Sequence, residues 1–269
     1  YLNEQHAHTW DFVDNPLAYQ AFLGNQFGDD GVQVKWIAPT DLFMEFGAEY
    51  GRGRIADTEG RDKNGGGAGS AFAHVGGDVG VSNSWRAGLS YLEVSPKDRQ
   101  SNDLDALGAS VTNNFTGNNK IWLADFVWKW APNGNSTNTS LKLQGEYMHR
   151  NEKGDLTYDV NNLANTSRYT ATQDGWYIQG VYKFLPYWRT GLRYDRLDNG
   201  SVDYGLNAAN LANTNYNPQR ISWMVDYNPS EFSRIRLQLS QDKSRQEATD
   251  NQLFLQYQMS LGAHGAHKY

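Results

Sequence analysis

Residues Arg234-Ile-Arg-Leu-Gln-Leu-Ser240 place Ile235, Leu237 and Leu239 on one side of an extended backbone and Arg234, Arg236 and Gln238 on the other. A two-residue period of this kind belongs to a strand; a helix would put its apolar residues three and four apart. The alternation returns in Ser140-Leu-Lys-Leu-Gln-Gly-Glu-Tyr147 and again from Trp176 to Phe184. It recurs near 31–38, 42–53, 71–81, 85–94, 120–131, 139–149, 175–184, 187–197, 219–227, 233–242 and 251–262. The spacing therefore predicts eleven strands of the length that crosses a bilayer at a tilt.

The connections sort into two kinds that alternate. Short ones fall at Ala38–Asp41, Ser82–Ser84, Pro132–Asn138, Leu185–Tyr187 and Asn228–Phe232, and four of the seven prolines sit in them. Proline suits such turns because its φ is already fixed and no ladder donor is needed there. Long ones run over roughly Arg54–Ser70, Ser95–Asn119, Asn151–Gln173 and Asp198–Pro218, with a shorter one near Lys243–Asp250. These are rich in Asn, Gly, Asp, Ser and Thr and show no period, so they are expected as loops. The pattern is that of an all-β fold, a transmembrane antiparallel up-and-down β-barrel with short periplasmic turns and long extracellular loops. The expected location is the bacterial outer membrane, and residues 1–269 are expected to form a single barrel domain.

Composition agrees. The chain has 27 Gly, 16 Tyr, 11 Phe and 9 Trp, but only 39% hydrophobic residues. Many aromatics in a polar chain suit a thin wall with one apolar face better than a thick dry core. Cysteine is absent, which removes disulfides and thiolate metal sites. A net charge of −6 argues against a nucleic-acid partner. No run approaches the length of a membrane helix, and the opening residues do not read as a secretory leader, so a mature or truncated product is expected.

If the apolar parity meets lipid, the other parity lines a lumen. The lumen-facing candidates are Lys35, Arg86, Lys129, Lys142, Glu146, Lys183, Arg189, Arg193, Asp195, Arg220, Arg234 and Arg236. Arginine rings select anions, so a basic excess on this wall predicts mild anion preference; the alternative is that these side chains pair with wall carboxylates and fill space. Eight tryptophans (Trp36, Trp85, Trp122, Trp128, Trp130, Trp176, Trp188 and Trp223) fall near strand ends or on the apolar parity, as interfacial girdles do. Tyr177 lies on the lumen parity, where an aromatic can stack on a sugar. Trp85-Arg-Ala-Gly-Leu-Ser-Tyr91 and Trp188-Arg-Thr-Gly-Leu-Arg-Tyr194 share W-R-x-G-L-x-Y directly after a tight turn, which reads as one strand position used twice.

Other chemistries find little support. Of the six histidines, His6 and His8 form one close pair and His264 and His267 another, while His74 and His149 stand apart. The two pairs are expected on opposite sides of the membrane, which disfavours a shared zinc site. Asp62-Lys-Asn64-Gly65 only faintly echoes a calcium loop. No nucleophile elbow, zincin or P-loop motif occurs. Neither a catalytic residue nor a cofactor is predicted. Asn15-Pro16, an apolar run and Gly24 predict a short helix over 15–24, with Asn15 as N-cap, lying in an exterior loop or folded into the lumen. Eleven strands is an odd number, whereas closed single-chain bacterial barrels have an even one, so further strands are expected before Tyr1.

The stretches HTWDFVDNPLAYQAFLG, DDGVQVKWIAP, WRTGLRYDRLD and the terminal FLQYQMSLGAHGAHKY resemble the C-terminal portion of a family of Gram-negative outer-membrane proteins. That family is related to phosphate-selective and carbohydrate porins, and its members are often labelled zinc-regulated or TonB-dependent. The resemblance implies a sixteen-stranded barrel and a homotrimer; together with the basic wall read above, the expected function is passive diffusion of small hydrophilic solutes with anions preferred. A TonB-dependent or metal-related receptor is the alternative, although nothing here resembles a plug domain; an enzyme or adhesin barrel is a further one. The implied partners are outer-membrane lipid, lipopolysaccharide and the barrel-assembly machinery. The resemblance also implies that this machinery reads a terminal signal made by Tyr257, Met259, Leu261 and Tyr269.

Overall fold

A computed structural model describes residues 1–53, 66–211, 215–230 and 232–260. The sequence's two-residue period becomes one antiparallel sheet. Its strands are β1 (Gly31–Ile37), β2 (Phe43–Gly51), β3 (Ala68–Val79), β4 (Asn83–Val94), β5 (Arg99–Leu104) and β6 (Ser110–Trp130). They continue as β7 (Ser140–Tyr158), β8 (Asn165–Leu185), β9 (Trp188–Asp203), β10 (Gln219–Ser230), β11 (Ser233–Lys243) and β12 (Asp250–Met259). Each pairs with its sequence neighbour, except that β4 passes over β5 to pair β6, and β5 lies off the path against β6 alone. The eleven strands of the path are the eleven expected. Among the described residues β1 and β12 do not pair, so the sheet is an open wall.

Register carries each strand's parity to its neighbour. Trp122 opposes Tyr91 on one side and His149 on the other, and Trp223 opposes Leu192 and Leu239. The outer face thereby carries an apolar band from one edge of the sheet to the other, with Ile178, Leu192, Leu253 and Leu255 exposed. Exposed apolar area on this scale is what a lipid-facing surface requires. All eight tryptophans named above share this parity. They form two belts: Trp85, Trp128 and Trp188 toward the short turns, and Trp122 and Trp176 toward the long connections.

Two expectations need correction. The long connections are not wholly loops. Strands β6, β7 and β8 run 21, 19 and 21 residues, well past the apolar band, and residues 99–104 form a further strand. Beyond the bilayer the outer face meets water, so the apolar alternation fades while backbone pairing continues. The inner face of this extension holds its own core of Val111, Phe115, Leu156, Tyr158 and Leu211. The second correction concerns the helix, α1 (Leu17–Leu23), which is not capped by Asn15. The Leu17 amide donates to Asp195 Oδ1 on β9 at 3.1 Å, so the wall supplies the cap. Gly24 closes the helix with φ 58°, and the Asn25 amide reaches back to the Tyr19 carbonyl at 3.1 Å.

Candidate functional site on the inner wall

All twelve lumen-facing candidates lie on the inner parity, and most of them meet one element, residues 1–30, laid against that face. This places the helix inside the wall, one of its two expected positions. The anchors are acids of the segment set against bases of the strands. Glu4 accepts from Arg86 at 2.7 Å and lies 3.9 Å from Lys35. Asp11 bridges Lys142 and Arg189, the latter at 3.2 Å. Asp14 pairs with Arg193 at 3.1 Å and Arg220 at 2.7 Å. Arg234 and Arg236 each donate to the Trp10 carbonyl at 2.9 Å. The remaining capacity goes to wall carboxylates: Arg193 to Asp195 at 2.9 Å, and Arg236 to Asp226 at 2.7 Å.

Burial pushes the Asp11 carboxyl up, but Lys142 and Arg189 outweigh it and hold Asp11 well below the usual carboxylate range. For Asp14, Arg193 and Arg220 likewise overcome burial, and its pKa is lowered. Both acids are therefore charged at neutral pH.

Ion pairs alone are a weak reason for docking, because desolvation offsets much of their attraction. Apolar contact supplies the rest. Tyr19, Phe22 and Leu23 of α1 are buried against Leu92, Ile121, Met148 and Tyr177 of the wall. Each fully buried side chain of this size contributes about 1.5–3 kcal/mol. The helix can come this close because Gly175 has no Cβ; one built there would stand 3.0 Å from Ala18 Cβ. Phe12 packs with Val181 and Met224 in a second contact. Glu146, fully buried, accepts from the Leu2 amide at 2.8 Å, Tyr19 Oη at 2.6 Å and Tyr177 Oη at 2.7 Å. Tyr177 thus belongs to the packing beneath the segment, and the sugar-stacking role is not available to its buried ring.

On the short-turn side of this segment lies a cavity of about 750 Å³ lined by Lys129, Lys142, Lys183, Arg189 and Asp78. Lys129 opposes Lys142 directly across β6 and β7, and Lys183 opposes Arg189 across β8 and β9. Directly opposed like charges are unfavourable in a sheet. Asp11 holds Lys142 and Arg189, and Lys183 donates to the Ser136 carbonyl at 3.1 Å. Four basic side chains line the cavity against one acid, Asp78, while Asp11 and Asp226 serve Lys142 and Arg189 from its edge, which makes the lining a basic vestibule.

Among the described residues one group could hold a metal ion: Glu4, Glu45 and His74, with ligand atoms within 4.8 Å of one another. Lys35 and Arg86 already neutralise its carboxylates, so a divalent cation would have to displace them. His6 and His8 stack with ring centroids 5.4 Å apart. His149 faces outward, with Nδ1 2.8 Å from Asp174. His264, His267, Leu261, Tyr269 and the Asp62–Gly65 stretch lie outside the described residues. Tyr257 and Met259 are exposed on the outer face of β12.

Charge parity located the wall residues but missed their counter-ions on residues 1–30. A signal was present: Leu92, Ile121, Leu123 and Met148 break the alternation by placing apolar side chains on the inner parity, where the helix docks.

No family model matches the chain. A protein of Aquifex aeolicus (strain VF5), described as uncharacterized, is 32% identical over 292 residues; the match takes in all of this chain, which spans 57% of that protein. Among solved structures, a loop-deletion mutant of OmpT, an outer membrane protein of Vibrio cholerae, superposes with a TM-score of 0.51 at 13% identity. It covers 92% of this chain and 68% of its own. The toluene transporter TodX of P. putida is more distant, with a TM-score of 0.38 at 11% identity over 79% of this chain and 67% of its own. With its two-faced sheet and paired aromatic belts, the chain is an antiparallel β-barrel wall of the bacterial outer membrane.

Proposed function

We propose that the chain forms the wall of a water-filled channel for small hydrophilic solutes, narrowed by residues 1–30 and mildly anion-preferring. The observation that supports this reading is the basic vestibule beside the docked segment. The segment engages the central arginines, and Lys129, Lys142, Lys183 and Arg189 together line the remaining space. Rings of like charge concentrate counter-ions at a constriction. Passage in this reading makes and breaks no bond. A homotrimer remains part of the proposal, carried by the family resemblance, as does recognition of Tyr257 and Met259 by the barrel-assembly machinery, carried by the resemblance of the terminal stretch.

The test is the reversal potential of the full-length protein in planar bilayers under a KCl gradient. Chloride should permeate better than potassium, and a K129Q/K183Q variant should lose most of that preference. Clear cation selectivity of the unmodified protein, or no conductance and no liposome swelling with small sugars, would sink the reading.

A further inference from the structure

The outer face carries a second charged feature. Counting outward from the belt, where Trp122 opposes His149, Lys120 of β6 stands at the first position, Lys153 of β7 at the second and Arg168 of β8 at the third. With Asn118 and Asn151 they line an outward groove of about 740 Å³ that has Trp122 at its lower edge. Lys120 lies 3.8 Å from Glu93. Lys153 and Arg168 are exposed, and among the described residues neither forms an ion pair. At the same height the inner face is buried and internally satisfied: Glu152 pairs with Arg99, and Leu156 lies in a core. Apart from Asp155, set opposite Arg168 across β7 and β8, nothing among the described residues uses Lys153 and Arg168.

Height decides what does. Tyr91 and Trp122, with ring centroids 4.7 Å apart, mark the interface where the apolar band ends. Lys120, Lys153 and Arg168 stand one, two and three outward positions above it, the span over which a lipid's phosphates and sugars leave the bilayer, and guanidinium and ammonium groups bind phosphate by charge-assisted hydrogen bonds. The two asparagines and Asp155 offer partners for sugar hydroxyls in the same groove. We infer that this groove holds the phosphorylated sugar headgroup of an outer-leaflet lipid, its acyl chains lying down the wall over Trp122. The inference rests on the membrane placement of the wall and is independent of what the lumen conducts.

Detergent-purified full-length protein should retain diphosphoryl lipid A in native mass spectrometry, and retain the dephosphorylated lipid far less. A K153Q/R168Q variant should bind the diphosphoryl lipid about thirtyfold more weakly, since each surface cation contributes about a fivefold attraction. R245Q, at an exposed arginine between β11 and β12 that does not line the groove, should bind as the parent does. Bilayer conductance of the same preparations should be unchanged, which separates this result from any failure of the channel reading and shows the variant folded. Equal binding by K153Q/R168Q, or displacement of the lipid by millimolar inorganic phosphate, overturns the inference.

Discussion

Asp11 and Arg189, 178 residues apart in the chain, meet at 3.2 Å on the inner wall, and Arg189 also holds Asp226. One carboxylate of the segment thereby ties down two strands, since Lys142 of β7 shares it. The contact sets both the position of residues 1–30 and the charge left in the vestibule.

Replacing that acid should separate these two effects. D11N releases Lys142 and Arg189 from their shared counter-ion while keeping the side chain's shape. The reversal potential should move further toward chloride. Loss of a hydrogen-bonded, buried charge costs about 1–3 kcal/mol, which would appear as a lower midpoint in urea unfolding. An unchanged reversal potential would count against the vestibule as the selecting element.

The docking of α1 depends on the bare backbone at Gly175, which faces Ala18 and Phe22. Gly175→Phe should push the helix off the wall. A cysteine at Leu23, introduced into this cysteine-free chain, should then react with a membrane-impermeant thiol reagent several-fold faster than in the Gly175 parent. Single-channel conductance should rise in the same variant if the segment narrows the lumen.

Glu146 offers a milder lesion. Tyr19→Phe removes the 2.6 Å hydrogen bond while leaving the ring in place. Because Tyr177 and the Leu2 amide still serve the carboxylate, the cost should stay near about 1 kcal/mol, read as a small downward shift of thermal midpoint. A loss several times larger would mean that Tyr19 carries the segment's register.

The acids of the segment also fix how it responds to pH. Asp11 and Asp14 have depressed pKa values when docked, so their contribution is fully present above the free carboxylate value of about 4. It is lost as pH falls through the lower docked values. Thiol accessibility at position 23 should therefore be flat from pH 5 to pH 8 and should rise only in strong acid. A transition near neutral pH would show that some other group controls docking.

Much of the wall was legible in the amino-acid order. Period two fixes which side chains share a face, so Ile235, Leu237 and Leu239 had to point together and Arg234 and Arg236 the other way. The alternation of tight and long connections fixed neighbour pairing, and Trp85 and Trp188 after their turns marked one edge of the apolar band. These are local consequences of backbone geometry. The pairing of β6 through β8 far beyond the membrane was not legible, because Asn, Thr and Ser form ladders in water without an apolar stripe to reveal them.

The meeting of Asp11 with Arg189, Asp14 with Arg220 and Asp195 with the amide of Leu17 was decided only in three dimensions. Parity says that an arginine points inward but not what meets it there. That depends on how a segment without period crosses the sheet, and its path is set by shape: a glycine-floored patch of apolar side chains accepts α1, and the charges then find one another.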